Sequence, residues 1–173
     1  MINFIDYQTQ FTTYLLTEKR LSDNTVAAYS QDIQQLCQHL KGRRIFLEKC
    51  TKEHLRDFLK TLKGLGISAK SLSRKISSIK SFYAFLKSQY KLSNIADALI
   101  FPTVEKMLPN YLSEDEIQQL LAAANNDTSY RGIRNKIMLY LLYASGVRVS
   151  ELVSLTVDGL HFDSGFIHVL GKG

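Results

Sequence analysis

The sequence predicts a mainly α protein in two parts: a four-helix bundle, then an α+β segment with a short β-hairpin. Three observations carry that expectation. Apolar residues recur at spacings of three and four through most of the first part of the chain. The only two prolines, Pro102 and Pro109, stand close together and interrupt the pattern. Beyond them a helical pattern resumes, then gives way after Asp163-Ser164-Gly165 to the alternating run Phe166-Ile167-His168-Val169-Leu170.

Each element follows from local chemistry. Phe4, Tyr7, Phe11, Tyr14 and Leu15 form one stripe of a first helix. Ser22-Asp23-Asn24 offers capping side chains to a second, whose stripe is Val26, Tyr29, Ile33, Leu36, Cys37 and Leu40. Thr51 can cap a third, with Leu55, Phe58, Leu59 and Leu62 inward and Gly64 or Gly66 at its end. The fourth is predicted over about residues 68–89, with Leu72, Ile76, Ile79, Phe82, Tyr83, Phe85 and Leu86 inward. Short connections leave these stripes little choice but to bury against one another. Proline cannot continue a helix and forces its predecessor into an extended conformation. Residues 102–110 are therefore the expected linker between a first domain, 1–101, and a second, 111–173.

In the second domain, Ser113 and Glu116 have capping-box spacing, and Leu112 can staple to Ile117. Glu114, Asp115 and Glu116 complement the positive end of the helix they open. A helix over residues 131–145, apolar nearly all round in its second half, is the expected buried spine. Gly146 ends it, and a short helix over about residues 150–155 follows. Gly171-Lys172-Gly173 has the composition of a hairpin turn.

Charge separates the two parts. The net formal charge is +6, with 22 Lys+Arg against 16 Asp+Glu. Residues 1–105 hold 16 of the basic and 9 of the acidic residues, and residues 106–173 hold 6 and 7. Two readings are open: a polyanionic partner for the first part, or a solvated lysine-rich surface. The fourth helix favours the former. Lys70, Arg74, Lys75, Lys80 and Lys87 are interleaved with Ser71, Ser73, Ser77, Ser78 and Ser81, and no acid occurs from Ala69 to Ser93. Solvated helices usually mix signs to gain i,i+4 pairs. Small hydroxyls and long cations suit a helix lying in a DNA major groove.

The two cysteines, Cys37 and Cys50, have neither metal-ligand nor framework spacing, so reduced thiols are expected. No cluster of His, Cys and carboxylates points to a metal, and no cofactor is expected. The longest apolar run, residues 137–144, is far too short for a bilayer, and no secretory leader pattern is visible. A soluble, cytoplasmic protein without a membrane partner is the expectation.

The most informative segment is Leu142-Tyr143-Ala144-Ser145-Gly146-Val147-Arg148-Val149-Ser150-Glu151-Leu152. It sets an arginine just after a glycine, between two helices. A guanidinium stays charged at ordinary pH, and its planar fork matches phosphate oxygens. Arg148 is either such a phosphate ligand or a buried structural arginine paired with Glu151 or another acid. Lys172 is either part of the same site or a solvent-facing turn lysine.

The stretch from Tyr143 to Leu152 resembles the tyrosine recombinase family, most closely its Xer branch. Leu155, Asp158 and Ile167-His168-Val169-Leu170-Gly171-Lys172-Gly173 continue the likeness. Ser22, Thr25, Tyr29 and Asp32 resemble the family's second-helix pattern, and Tyr111-Leu112-Ser113 with Glu116 the start of its catalytic domain. The resemblance implies a SAM-like core-binding bundle that contacts DNA through Lys70, Arg74, Lys75, Lys80, Thr25 and Tyr29, with Tyr29 divided between core and phosphate. It implies that residues 111–173 are the N-terminal part of a catalytic domain. The two domains would clamp a duplex.

The implied chemistry is attack of a tyrosine hydroxyl on the scissile phosphate. That forms a phosphotyrosine ester, frees a 5′-hydroxyl and conserves the bond energy without ATP. Arg148 would be the first of two arginines on the non-bridging oxygens, worth roughly a hundred- to thousand-fold in rate by analogy with oxyanion holes. Lys172 would be the general acid for the leaving 5′-oxygen. The implied partners are a double-stranded recombination site, a second Xer-like recombinase within a tetramer, and an FtsK-like translocase, in the service of chromosome-dimer resolution. The family's second arginine, in a His-x-x-Arg segment, and its nucleophilic tyrosine are expected beyond the hairpin, yet none of the nine tyrosines follows Lys172. The expectation is a fragment that binds DNA, neither cleaves nor joins it alone, and exposes an apolar patch on its second domain. The alternatives are a non-catalytic DNA-binding accessory protein that retains the clamp, or another integrase-family recombinase from a phage or transposon.

Overall fold

The computed structural model describes residues 4–104, 108–169 and 171. The helices are α1 (Phe4–Thr17), α2 (Asp23–Gly42), α3 (Lys52–Gly64), α4 (Ala69–Tyr90), α5 (Glu114–Ala124), α6 (Tyr130–Ser145) and α7 (Val149–Val153). Two short strands, β1 (Leu160–His161) and β2 (Phe166–Ile167), and two single turns of 3-10 helix, Leu47–Lys49 and Val157–Gly159, complete the described elements. The chain divides into two units, residues 1–106 and 107–173.

The first unit is the four-helix bundle. α1 packs on α2 and α4, and α3 packs on the same two helices. An aromatic seam joins α1 to α4: the rings of Phe11 and Phe82 meet edge-on at 5.1 Å, and Phe85 lies 5.5 Å from Phe11 and 5.1 Å from Tyr14. Leu15, Ile33, Leu36, Leu40, Leu55, Ile76, Ile79 and Leu86 are fully buried around it. Ser22 and Thr51 hold the N-cap positions expected of them, and α4 gains a cap that was not anticipated. Ser68 Oγ accepts from the Ser71 N–H at 3.2 Å. Ser22 holds the N-cap position of α2, where its hydroxyl bonds Thr25 Oγ1 at 3.0 Å. At α3 the Thr51 N–H donates to His54 Nδ1 at 3.1 Å, a capping role for a histidine that spacing alone does not mark. Asp57 of α3 pairs with Arg43 and lies 3.5 Å from His39 Nε2, tying α3 to the end of α2. Cys37 and Cys50 are buried free thiols, and burial pushes Cys37 up to about 12, so it is held as an inert core residue.

In the second unit the capping box forms as spaced. Ser113 N–H donates to Glu116 Oε2 at 2.8 Å, and Ser113 Oγ accepts from the Glu116 N–H at 3.3 Å. Those bonds hold the Glu116 carboxyl below its ordinary range. The cap therefore stabilises α5 above the ordinary carboxylate pKa and is lost as pH falls through the depressed value. Ser129 caps α6, accepting from the Gly132 N–H at 3.1 Å, and its own N–H donates to Asp127 Oδ1 at 2.9 Å. This turn folds so closely over α6 that a β-carbon on Gly132 would overlap the Asp127 carbonyl oxygen. Because the obstructing atom is backbone, no side-chain rotation relieves the overlap. Gly132→Ala is expected to cost about 1–3 kcal/mol, read as faster amide exchange along α6 with α4 unchanged.

Two expectations for this unit are corrected. α6 is not a buried spine: Ile133, Ile137, Tyr140 and Tyr143 are exposed, and among its described residues only Gly132 is buried. Its main neighbours, α5 and α7, cover only part of its circumference, so the exposed apolar face anticipated for this domain is present. The strand expected over residues 166–170 is shorter. β1 and β2 form an antiparallel hairpin, Leu160 opposite Ile167 and His161 opposite Phe166, turned at residues 162–165. The turn expected at Gly171-Lys172-Gly173 includes Lys172 and Gly173, which lie outside the described residues. Among the described residues, no helix is long and apolar enough to cross a membrane, and no group of three or more His, Cys, Asp or Glu could hold a metal ion.

Candidate nucleic-acid interface

α4 was expected to present its whole basic set to a ligand, and the structure divides that set. Lys70 and Arg74 are exposed, and Ser77 and Ser81 continue the same side of the helix turn by turn. Lys75 is a correction. It is 5% exposed, with Nζ 2.7 Å from Asp32 Oδ1 and 2.5 Å from Gln35 Oε1. Lys75 precedes Ile76 on the inward side of α4, between Leu72 and Ile79, so its ammonium enters the α2–α4 interface. A buried cation persists only with an anion beside it. Asp32 of α2, 1% exposed, supplies that anion. Its second oxygen accepts from Ser78 Oγ at 3.0 Å and from Arg74 Nη1 at 2.5 Å, so Ser78 also faces inward.

Arg74 stands at the rim of this cluster. Its side chain is 41% exposed, and Nη1 also donates to the Ala28 carbonyl at 3.2 Å. That bond sets Arg74 against the turn of α2 between Thr25 and Asp32. Thr25 is half-exposed there, and Tyr29 is half-buried with its ring packed on the core. Lys80 is tied to the segment after α4: Nζ lies 3.4 Å from the Asp97 carbonyl and 5.0 Å from the centre of the Phe101 ring. The structure thus brings Lys70, Arg74 and the start of α2 to one basic surface and removes Lys75 from it. Sequence reasoning noted Asp32 only as part of a resemblance. The available signal was a lone acid within the apolar stripe of α2, opposite an acid-free helix that carries a lysine in its own stripe.

The arginine turn is built from α6 and α7. Gly146 ends α6 with φ +64°, its N–H donating to the Leu142 carbonyl at 3.0 Å. A side chain at that left-handed position is strained, which is why glycine stands there. The chain then reverses so that Arg148 takes the N-cap position of α7. Its backbone N–H donates to Glu151 Oε2 at 2.8 Å and its Nη1 to Glu151 Oε1 at 2.7 Å. One carboxylate caps the helix and grips the guanidinium, and those two bonds hold Glu151 below the ordinary carboxylate range. Arg148 is paired with Glu151, yet its side chain is 69% exposed while that of Glu151 is 11% exposed. Arg148 is therefore not the buried structural arginine of the second reading. The remainder of its fork faces solvent. Lys172, its expected companion, lies outside the described residues.

Comparison with known proteins matches both units. Residues 9–90 match the phage integrase N-terminal SAM-like domain, and residues 110–173 match the phage integrase family. The tyrosine recombinase XerD of Oceanobacillus iheyensis is 40% identical over 166 residues, covering 94% of this chain and 55% of the relative. XerD of Haemophilus influenzae is 36% identical over 157 residues, 90% of this chain and 52% of the relative. XerC of Roseiflexus castenholzii is 34% identical over 164 residues, 94% and 52% respectively. The chain spans about half the length of the curated relatives it matches. Among solved structures, the XerH site-specific recombinase bound to its difH substrate in a pre-cleavage complex has a TM-score of 0.74 at 16% identity, covering 98% of this chain and 62% of that one. The likeness to XerH shows the shared fold. With the bundle and the arginine turn each matched in sequence, and the fold matched across both, the chain belongs to the phage integrase family of tyrosine recombinases.

Proposed function

We propose that these residues act in a Xer-type site-specific recombinase, gripping duplex DNA with the first unit and contributing to the phosphoryl-transfer site with the second. The observation that carries the reading is the outward face of α4, where Lys70 and Arg74 stand without an acid on their own helix and beside the half-exposed Thr25. Residues 1–101 are the core-binding domain, 102–110 the connection, and 111–173 the first part of the catalytic domain. Lys70, Arg74, Lys80, Thr25 and the edge of Tyr29 meet the DNA. Arg148 stabilises charge on the scissile phosphate, with Glu151 fixing one side of its fork and leaving the other to the phosphate. Lys172 is the general acid. The partners are a second Xer-like recombinase and an FtsK-like translocase, the process is chromosome-dimer resolution, and the place is the cytoplasm. The XerD and XerC relatives support this assignment by name, and XerH carries the same fold on its difH substrate.

The test is a fluorescence-anisotropy titration of labelled duplexes at several salt concentrations. The logarithm of the association constant is expected to fall linearly with that of salt, with a slope of about −0.9 per phosphate neutralised. Arg74→Ala and Lys80→Ala are each expected to weaken binding and flatten the slope by about 1. Binding that ignores salt, or two variants with unchanged affinity, rejects α4 as the DNA-facing helix.

A further inference from the structure

We infer that Asp32 is a positioning residue for DNA contact: from inside the α2–α4 interface it holds Arg74 by one terminal nitrogen, leaving the Nε–Nη2 edge of the guanidinium turned outward as a ready bidentate donor. This rests on the DNA-binding reading above and adds the device that makes Arg74 effective. The contacts of the guanidinium run through Nη1, to Asp32 Oδ2 at 2.5 Å and to the Ala28 carbonyl at 3.2 Å. Those two acceptors use both hydrogens of that nitrogen. Nε and Nη2 carry a parallel pair of N–H groups, the geometry that meets two phosphate oxygens or the O6/N7 edge of guanine. A guanidinium already fixed at one corner loses less freedom on contact than one on a free side chain.

Charge supports the same conclusion. A carboxylate paired only with Arg74 would cancel the positive charge that a phosphate needs. Here Asp32 Oδ1 is also held by Lys75 Nζ at 2.7 Å, so one anion is shared by two cations. The cluster of Asp32, Arg74 and Lys75 keeps one net positive charge. The anion is 1% exposed and Lys75 5% exposed, whereas the Arg74 side chain is 41% exposed. The uncancelled charge therefore emerges at Arg74. Lys75 contributes from within the interface by neutralising the carboxylate that orients its neighbour.

A double-mutant cycle tests this, using duplexes selected from a random-sequence library by the wild-type chain and circular dichroism to fix the folded fraction. Asp32→Asn raises net charge by one, and general electrostatics alone would tighten its binding. The expected result is the opposite, a loss of about tenfold per correctly folded molecule. In an Arg74→Ala background the same substitution is expected to change affinity by less than about twofold. Equal or tighter binding by Asp32→Asn, or an equal loss when Arg74 is absent, overturns the inference. If Asp32→Asn does not fold, Arg74→Lys decides. It keeps the charge but not the fork, so about a tenfold loss is expected, and wild-type affinity overturns the inference. A wild-type chain that selects no duplex rejects the DNA-binding reading itself, a result distinct from selective binding with an indifferent position 32.

Discussion

Asp32→Ala is expected to destabilise the first unit by about 3–5 kcal/mol, because it leaves Lys75 charged in the α2–α4 interface with no anion beside it, only the neutral Gln35 amide oxygen. Ser78 loses an acceptor at the same time, although its hydroxyl keeps the Lys75 carbonyl at 2.9 Å. Domains of this size are stable by only about 5–15 kcal/mol, so the substitution removes a large share of the total. Urea unfolding followed by far-UV circular dichroism measures it. Pairing Asp32→Ala with Lys75→Met is expected to recover most of the loss, since an apolar pair can replace a buried ion pair at little cost. A shift below about 1 kcal/mol, the usual size for a surface ion pair, would show that Lys75 reaches water.

Phe82→Ala is expected to cost about 3–5 kcal/mol through the cavity it opens. Phe82 is fully buried and meets Phe11 edge-on at 5.1 Å, Tyr83 at 5.9 Å and Phe85 at 6.3 Å. The ring fills the seam from both α1 and α4, so neither helix can close the gap without moving the other. Phe46→Ala is the control: half-exposed, it should change the urea midpoint within about 0.5 kcal/mol. Equal effects at the two positions would place the core elsewhere.

Much of this fold is legible in the sequence because its signals are local. The stripes of α1 to α4, the Ser113 capping box and the glycine stop at Gly146 each depend on residues within a turn or two. What was not legible depends on distant partners. Lys75 reads as surface because a lysine carries charge, and its burial is set by Asp32, 43 residues away. The pattern of α6 says that it needs cover, and cannot say whether these residues supply it. His54 is invisible as a cap because histidine rarely takes that place. Arg148 left two readings open, and only the geometry shows a side chain that is held by Glu151 and still faces outward.

The shared carboxylate has a consequence for how two helices choose their alignment. Leucines and phenylalanines are interchangeable enough that α4 could slide one turn along α2 and still find oily neighbours. Asp32 opposes that slip, since it would strand an anion in hydrocarbon and carry Lys75 about one helical pitch away from it. The polar cluster thus acts as a registration pin, selecting one among several comparably greasy dockings of α4.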